Sequence, residues 1–196
     1  MAMLCLKEIR GAFMTTNHIK IRPLRPDELE TFWQLAFSNP NAEWTKWNGP
    51  YFHDKLPSKR AFTTIIGPND WLGNDYRWVI TFNGNLVGAL FAYFDDGALK
   101  RWLDIGITIY NDHLWGNHIG QTALQQWLNH LFSDVTKLPH IGFTTWSGNK
   151  RMMALGDQVG MTLEGRIRQV RYWQGHYYDS VKYGILRSEW EKLVKQ

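Results

Sequence analysis

Cysteine is almost missing from this chain: Cys5 is the single copy in 196 residues. No disulfide can form within the chain, no cysteine pair has metal-ligand spacing, and no metal site is expected. That usage points to a reducing, cytoplasmic setting. Long apolar runs are missing too. No stretch approaches the roughly eighteen apolar residues that span a bilayer, so no membrane association is expected. Residues 1–13 lack the apolar core and small-residue cleavage site of a signal peptide. Lys and Arg outnumber Asp and Glu by a net charge of +4. They form no long basic block, so direct nucleic-acid binding is not expected. A Walker A loop and a Gly-x-Gly-x-x-Gly fingerprint are absent, which excludes the common ATPase and NAD-binding folds. There is no internal repeat, and no linker long enough to divide the chain.

What remains is a globular composition, 44% apolar and 20% charged, in a length that suits one domain. Eleven tryptophans are spread along the chain and read as core and groove-lining rings. Residues 1–17 read as an appendage, with Met14 as an alternative start, and residues 18–196 as the domain. Ile19, Ile21 and Leu24 mark a strand closed by Pro23 and Pro26. Leu29, Phe32, Trp33, Ala36 and Phe37 recur at helical spacing. Residues 38–75 show no clear period and read as short helices and an aromatic-rich loop. Strands follow at 78–82 and 86–94, joined by an Asn83-Gly84-Asn85 hairpin turn. A third strand occupies 102–110. A loop leads into a helix over 118–132, then a strand at 141–146 and a helix over 150–159, ended by Gly160. Two more strands flank a hairpin at 173–176, and a short helix surrounds Trp190. The order predicts one mixed α/β layer.

The chemically informative unit is the strand, loop and helix of residues 102–132. Its loop runs Asp112-His113-Leu114-Trp115-Gly116-Asn117-His118-Ile119-Gly120. Helix-start N–H groups are unpaired and lie at the positive end of the helix dipole, so a phosphate or pyrophosphate is the natural guest. The plainer alternative is a loop whose glycines serve backbone geometry alone.

Several segments, in order, resemble the GNAT acetyltransferases, nearest the ribosomal-protein and spermidine N-acetyltransferase subgroup. Trp115-Gly116-Asn117-His118-Ile119-Gly120 is similar to the family's Arg/Gln-x-x-Gly-x-Gly/Ala motif. His118 stands at its middle glycine and Trp115 at its first basic residue. The segments 83–88, 103–107, 149–152, 159–165 and 177–186 resemble successive family elements. The likeness covers about His18 to Trp190.

The resemblance implies a single-domain α/β GNAT fold. Its sheet is mixed and mostly antiparallel, flanked by helices, with splayed central strands. It implies acetyl-CoA as donor and an amine as acceptor, a peptide or protein N-terminal amine ahead of a polyamine, aminoglycoside or other small amine. A non-catalytic acyl-CoA-binding module is the alternative. The pantetheine arm is expected on the backbone of Ile107, Thr108 and Ile109. The pyrophosphate is expected on Trp115, Gly116, Asn117, His118, Ile119 and Gly120. Asn149 orients the arm, caps the helix, or does both. His118 is either a phosphate donor or a solvent-facing residue, and Trp115 either stacks on the cofactor or packs.

For proton transfer, Asp104 is the first candidate base, because a carboxylate in an apolar strand needs a polar cleft or a partner. Glu164 is second and Asp179 third. The family's usual tyrosine acid falls at Gly156, so Ser147 is the candidate acid, or else a turn residue. Trp44, Trp47, Tyr51 and Phe52 line the acceptor cleft or pack in the core. A homodimer through the C-terminal hairpin is also expected.

Overall fold

A computed structural model describes residues 18–195. The reading of residues 1–17 lies outside them. Seven strands form one sheet in the order β1-β2-β3-β4-β5-β7-β6. They are β1 (Ile19–Pro23), β2 (Arg77–Phe82), β3 (Asn85–Phe94), β4 (Leu103–Ile109), β5 (His140–Trp146), β6 (Thr162–Trp173) and β7 (His176–Leu186). Every pairing is antiparallel except β4 with β5. The β2–β3 turn forms because Asn83 (φ 51°) and Gly84 (φ 81°) both accept positive φ, the twist that a two-residue hairpin needs.

The helices are α1 (Leu29–Ala36), α2 (Lys59–Ala61), α3 (Ile119–His130), α4 (Lys150–Gln158) and α5 (Arg187–Leu193). The aperiodic stretch at 38–75 resolves into 3-10 turns at Glu43–Lys46 and Pro50–Phe52. After them, α2 continues as a π-type coil over Phe62–Trp71. Neither geometry repeats at 3.6 residues, which is why no helical stripe is visible there.

Two clusters sandwich the central strands. On one face Ile80, Leu90, Leu103, Ile105, Ile141 and Phe143 pack with Leu124, Trp127 and Leu128 of α3. On the other, Val79 and Ala89 pack with Phe32 and Ala36 of α1 and with Phe62 and Trp71 of the π-type coil. At the outer edge β6 and β7 leave Ile167, Tyr172 and Tyr177 exposed, on the hairpin expected to meet a second copy. Among the described residues no helix is long and apolar enough to cross a membrane.

Helix α4 lies close to the sheet. The rings of Phe143 and Tyr183 stack with centroids 5.0 Å apart, and Gly156 rests on them. A Cβ there would stand 2.9 Å from Phe143 Cζ and 3.0 Å from Tyr183 Cδ1. Position 156, where the resemblance puts a tyrosine acid, therefore has no room for a larger side chain. Gly156→Ala should destabilise the fold by about 1–3 kcal/mol through overpacking. Gly165→Ala, whose Cβ meets nothing nearer than 4.0 Å, should change it by no more than about 0.5 kcal/mol. Urea titration of both variants checks the contrast.

Candidate active site

Strands β4 and β5 pair only at Leu103↔Ile141 and Asp104↔Gly142 and then part. Tyr110 donates its N–H to the Val87 carbonyl, and Asp95 donates to the Trp102 carbonyl, each at 2.9 Å. Antiparallel residues alternate in which neighbour their backbone addresses. The even-numbered residues of β4 therefore face β3, and Ile105, Ile107 and Ile109 face β5. Where β5 has turned away, the backbone of Ile107 and Ile109 points into the gap. Thr108, paired with Ala89, has its backbone engaged by β3 and offers the gap its side chain.

The gap opens into a groove of about 330 Å³. It is lined by all the expected cofactor-contacting residues except Asn117, that is Ile107, Thr108, Ile109, Trp115, Gly116, His118, Ile119, Gly120 and Asn149. Asn117 turns its side-chain amide to the Leu114 carbonyl instead (3.1 Å). His118 is the N-cap of α3 and sits at φ 57°, the left-handed conformation that a glycine adopts without cost. Its ring contacts Gln121 Oε1 (3.1 Å) and does not cap the helix. The first-turn N–H groups of α3 therefore remain open toward the groove. Trp115 donates its indole N–H to the Ile109 carbonyl (2.9 Å), which fixes its ring at the end of β4.

Asn149 holds two elements together. Its side-chain oxygen accepts the Met152 N–H (3.1 Å) as the α4 N-cap. Its amide donates to the Trp47 carbonyl (3.0 Å), which Trp146 Nε1 also reaches (3.0 Å). The aromatic loop is thereby pinned to the end of β5. Trp44 and Trp47 line the groove, whereas Tyr51 and Phe52 do not. Those two rings pack under the Arg171 guanidinium.

Arg151 escapes sequence reasoning. Its guanidinium lies 4.6 Å from the Trp115 ring centre and 5.3 Å from that of Trp47. It lines the groove and makes no ion pair among the described residues. Only the fold brings these three residues together, so no local motif announces the cation.

The candidate proton-transfer residues lie elsewhere. Asp104 is fully buried at the closed end of the splay. It accepts from Thr144 of β5 (3.0 Å) and pairs with Lys182 of β7 (3.3 Å). Burial raises its carboxyl above the usual range, against the opposing pull of Lys182. Glu164 contacts His140 (2.9 Å) on the β5–β7–β6 side of the sheet. Asp179 pairs with Arg166 (3.1 Å). Ser147 Oγ accepts the Asp179 N–H (2.9 Å), which leaves its own hydrogen free to donate. None of the four lines the groove.

A second pocket of about 350 Å³ meets the groove at Trp44, Asn48 and Thr108. Its other walls include Phe37, Trp71, Arg77, Tyr93 and Tyr110, and among the described residues no carboxylate lines either cavity. Burial pushes the Tyr93 phenol up to about 12 and that of Tyr110 well above its usual range, so both stay protonated near neutral pH. Among the described residues no group of three or more His, Cys, Asp or Glu gathers as metal ligands.

The arrangement suits a nucleotide thioester: open strand backbone for an amide-bearing arm, helix-start N–H groups and Arg151 for phosphates. Comparison with known proteins agrees. The acetyltransferase (GNAT) domain model matches residues 18–162. The "Putative ribosomal N-acetyltransferase YdaF" of Bacillus subtilis strain 168 is 26% identical over 180 residues, covering 89% of this chain and 94% of that protein. A spermidine N-acetyltransferase from Vibrio cholerae, solved with CoA and spermine, superposes with a TM-score of 0.70 at 18% identity, over 89% of this chain and 99% of that one. A GNAT-family acetyltransferase from Bacillus anthracis gives 0.68 at 18%, over 88% and 96%.

Arg151→Ala should weaken acetyl-CoA binding about tenfold or more, in line with the roughly 1.5 kcal/mol of a charge-assisted contact. S-acetylpantetheine, which lacks the phosphates, should bind both proteins alike. Calorimetry with the two thioesters checks this, and an equal loss for both would contradict the phosphate assignment.

Proposed function

Because this chain belongs to the GNAT acetyltransferase family and draws on acetyl-CoA as its donor, we propose that it acetylates the α-amine of a peptide or protein N-terminus. The observation that carries this reading is that, among the described residues, no carboxylate lines the pocket that meets the groove at Thr108.

An amine must be neutral to attack. An α-amine has an ordinary pKa near 8, so about a tenth of it is neutral at pH 7. A lysine-like amine near 10.4 is neutral to less than about one part in a thousand. A site without a carboxylate base therefore favours the α-amine. It also offers nothing to hold a polycation. The kinship with a protein named for ribosomal N-acetyltransfer points the same way. The fold likeness to spermidine N-acetyltransferases favours polyamines, which stand as the second reading.

Acetyl-CoA supplies an acetyl carbon already activated as a thioester. The chain's own part is positional. The Ile107 backbone and the Ile109 N–H hold the arm, and an open β4 N–H receives the carbonyl oxygen as it gains charge. Trp44, Asn48 and Thr108 border the passage through which the amine enters. The new carbon–nitrogen bond forms as the carbon–sulfur bond breaks. The nitrogen's proton leaves to water. Ser147 lies outside the groove, so the departing thiolate takes its proton from water. Asp104 and Glu164, each engaged by another side chain, are assigned structural roles.

The test follows CoA release with N-terminal peptides, spermidine and aminoglycosides across pH 6–9, with product mass spectrometry. Turnover should favour peptides, and kcat/KM should rise with the pKa of the acceptor amine near 8. Efficient turnover of spermidine alone at pH 7 would overturn the α-amine reading.

A further inference from the structure

Among the described residues, the pocket beyond Thr108 holds a single charged side chain, and it is a cation. Arg77 opens β2 and lines this pocket. Its guanidinium lies 5.5 Å from the Trp71 ring centre, and it has no carboxylate or carbonyl partner among the described residues. Trp44 stands at the junction with the groove, 7% exposed and lining both cavities with its ring. Aromatic walls and an unpaired guanidinium form a receptor for an apolar body that bears a negative oxygen.

We propose that the preferred acceptor is itself anionic: an amine whose apolar or aromatic body carries a carboxylate within reach of Arg77, with the amine directed to Thr108. This rests on the acetyl-transfer reading above and adds a charge requirement on the acceptor of the α-amine reaction, whether it is a peptide or a free amino acid. Two sources share the chemistry, a free amino acid with its own carboxylate and a peptide with an acidic residue next to its N-terminus. A polyamine is disfavoured directly, because its charges would face Arg77.

The experiment compares acceptors that differ only in that charge. One arm pairs phenylalanine with phenylalaninamide. The other pairs C-terminally amidated peptides beginning Met-Glu and Met-Gln. Their N-acetylated forms are titrated by calorimetry into the CoA-loaded protein, so that recognition is read without turnover. The carboxylate member of at least one pair should bind, and be turned over, tenfold or more better than its neutral twin. Arg77→Gln should bring that ratio close to one, mainly through KM, and Arg77→Glu should invert it. Acetyl-CoA affinity should hold in both Arg77 variants, because Arg77 does not line the groove. A preference in the first arm alone assigns a free amino acid, and one in the second alone assigns an acidic N-terminus. A ratio near one in both arms, or a ratio that survives Arg77→Gln, overturns the proposal. A carboxylate preference in binding with no acetyl transfer to any acceptor would sink the transfer reading while supporting the anion site.

Discussion

One short parallel pairing organises this molecule. Strands β4 and β5 meet at Leu103 and Asp104 and nowhere further along. The buried Asp104 carboxylate joins three strands at that junction, with Thr144 on β5 and Lys182 on β7. Lys182 also reaches Asp95 (3.1 Å) and lies 3.8 Å from the Trp102 ring centre. Such a pair is costly to desolvate and costly to break. Its position gives it a geometric consequence: one end of the gap is clamped, so the divergence of the strands is confined to the other. The groove, the open backbone of Ile107 with the Ile109 N–H, and the junction of the two cavities at Thr108 all follow from that asymmetry. A carboxylate that the sequence offers as a catalytic base thus sits where it shapes the site without lining it.

The aromatic loop is the second structural debt to a few polar contacts. Residues 43–52 have little regular structure of their own. The Trp47 carbonyl receives both Trp146 and Asn149, which brings Trp44 to the junction of the two cavities and Trp47 beside Arg151. Asn149 therefore couples the α4 cap to the wall of the groove, so its replacement would disturb cofactor and acceptor sides together.

Much of the architecture can be read from local pattern. Alternation and an Asn-Gly turn place β2 and β3, and the stripe of Ile119, Ala123, Leu124, Trp127 and Leu128 places α3. The glycine motif points to the groove even with His118 in it, because the backbone there takes the left-handed conformation that the motif's glycine would supply. Residues 38–75 resist such reading, since 3-10 and π turns leave no 3.6-residue period. Arg151, Arg77 and the partner of Asp104 are not legible at all. Each acquires its meaning from residues distant in sequence, through a ring sandwich, a pocket wall and a clamp across three strands.

Residue-resolved amide exchange across three consecutive residues of β4 tests the proposed seat of the acetyl-CoA arm on its splayed backbone. Ile107 and Ile109 should exchange quickly in the free protein and become protected when acetyl-CoA binds, while Thr108, bonded to β3, should stay protected throughout. Unchanged exchange at Ile107 and Ile109 with saturating acetyl-CoA would contradict the account.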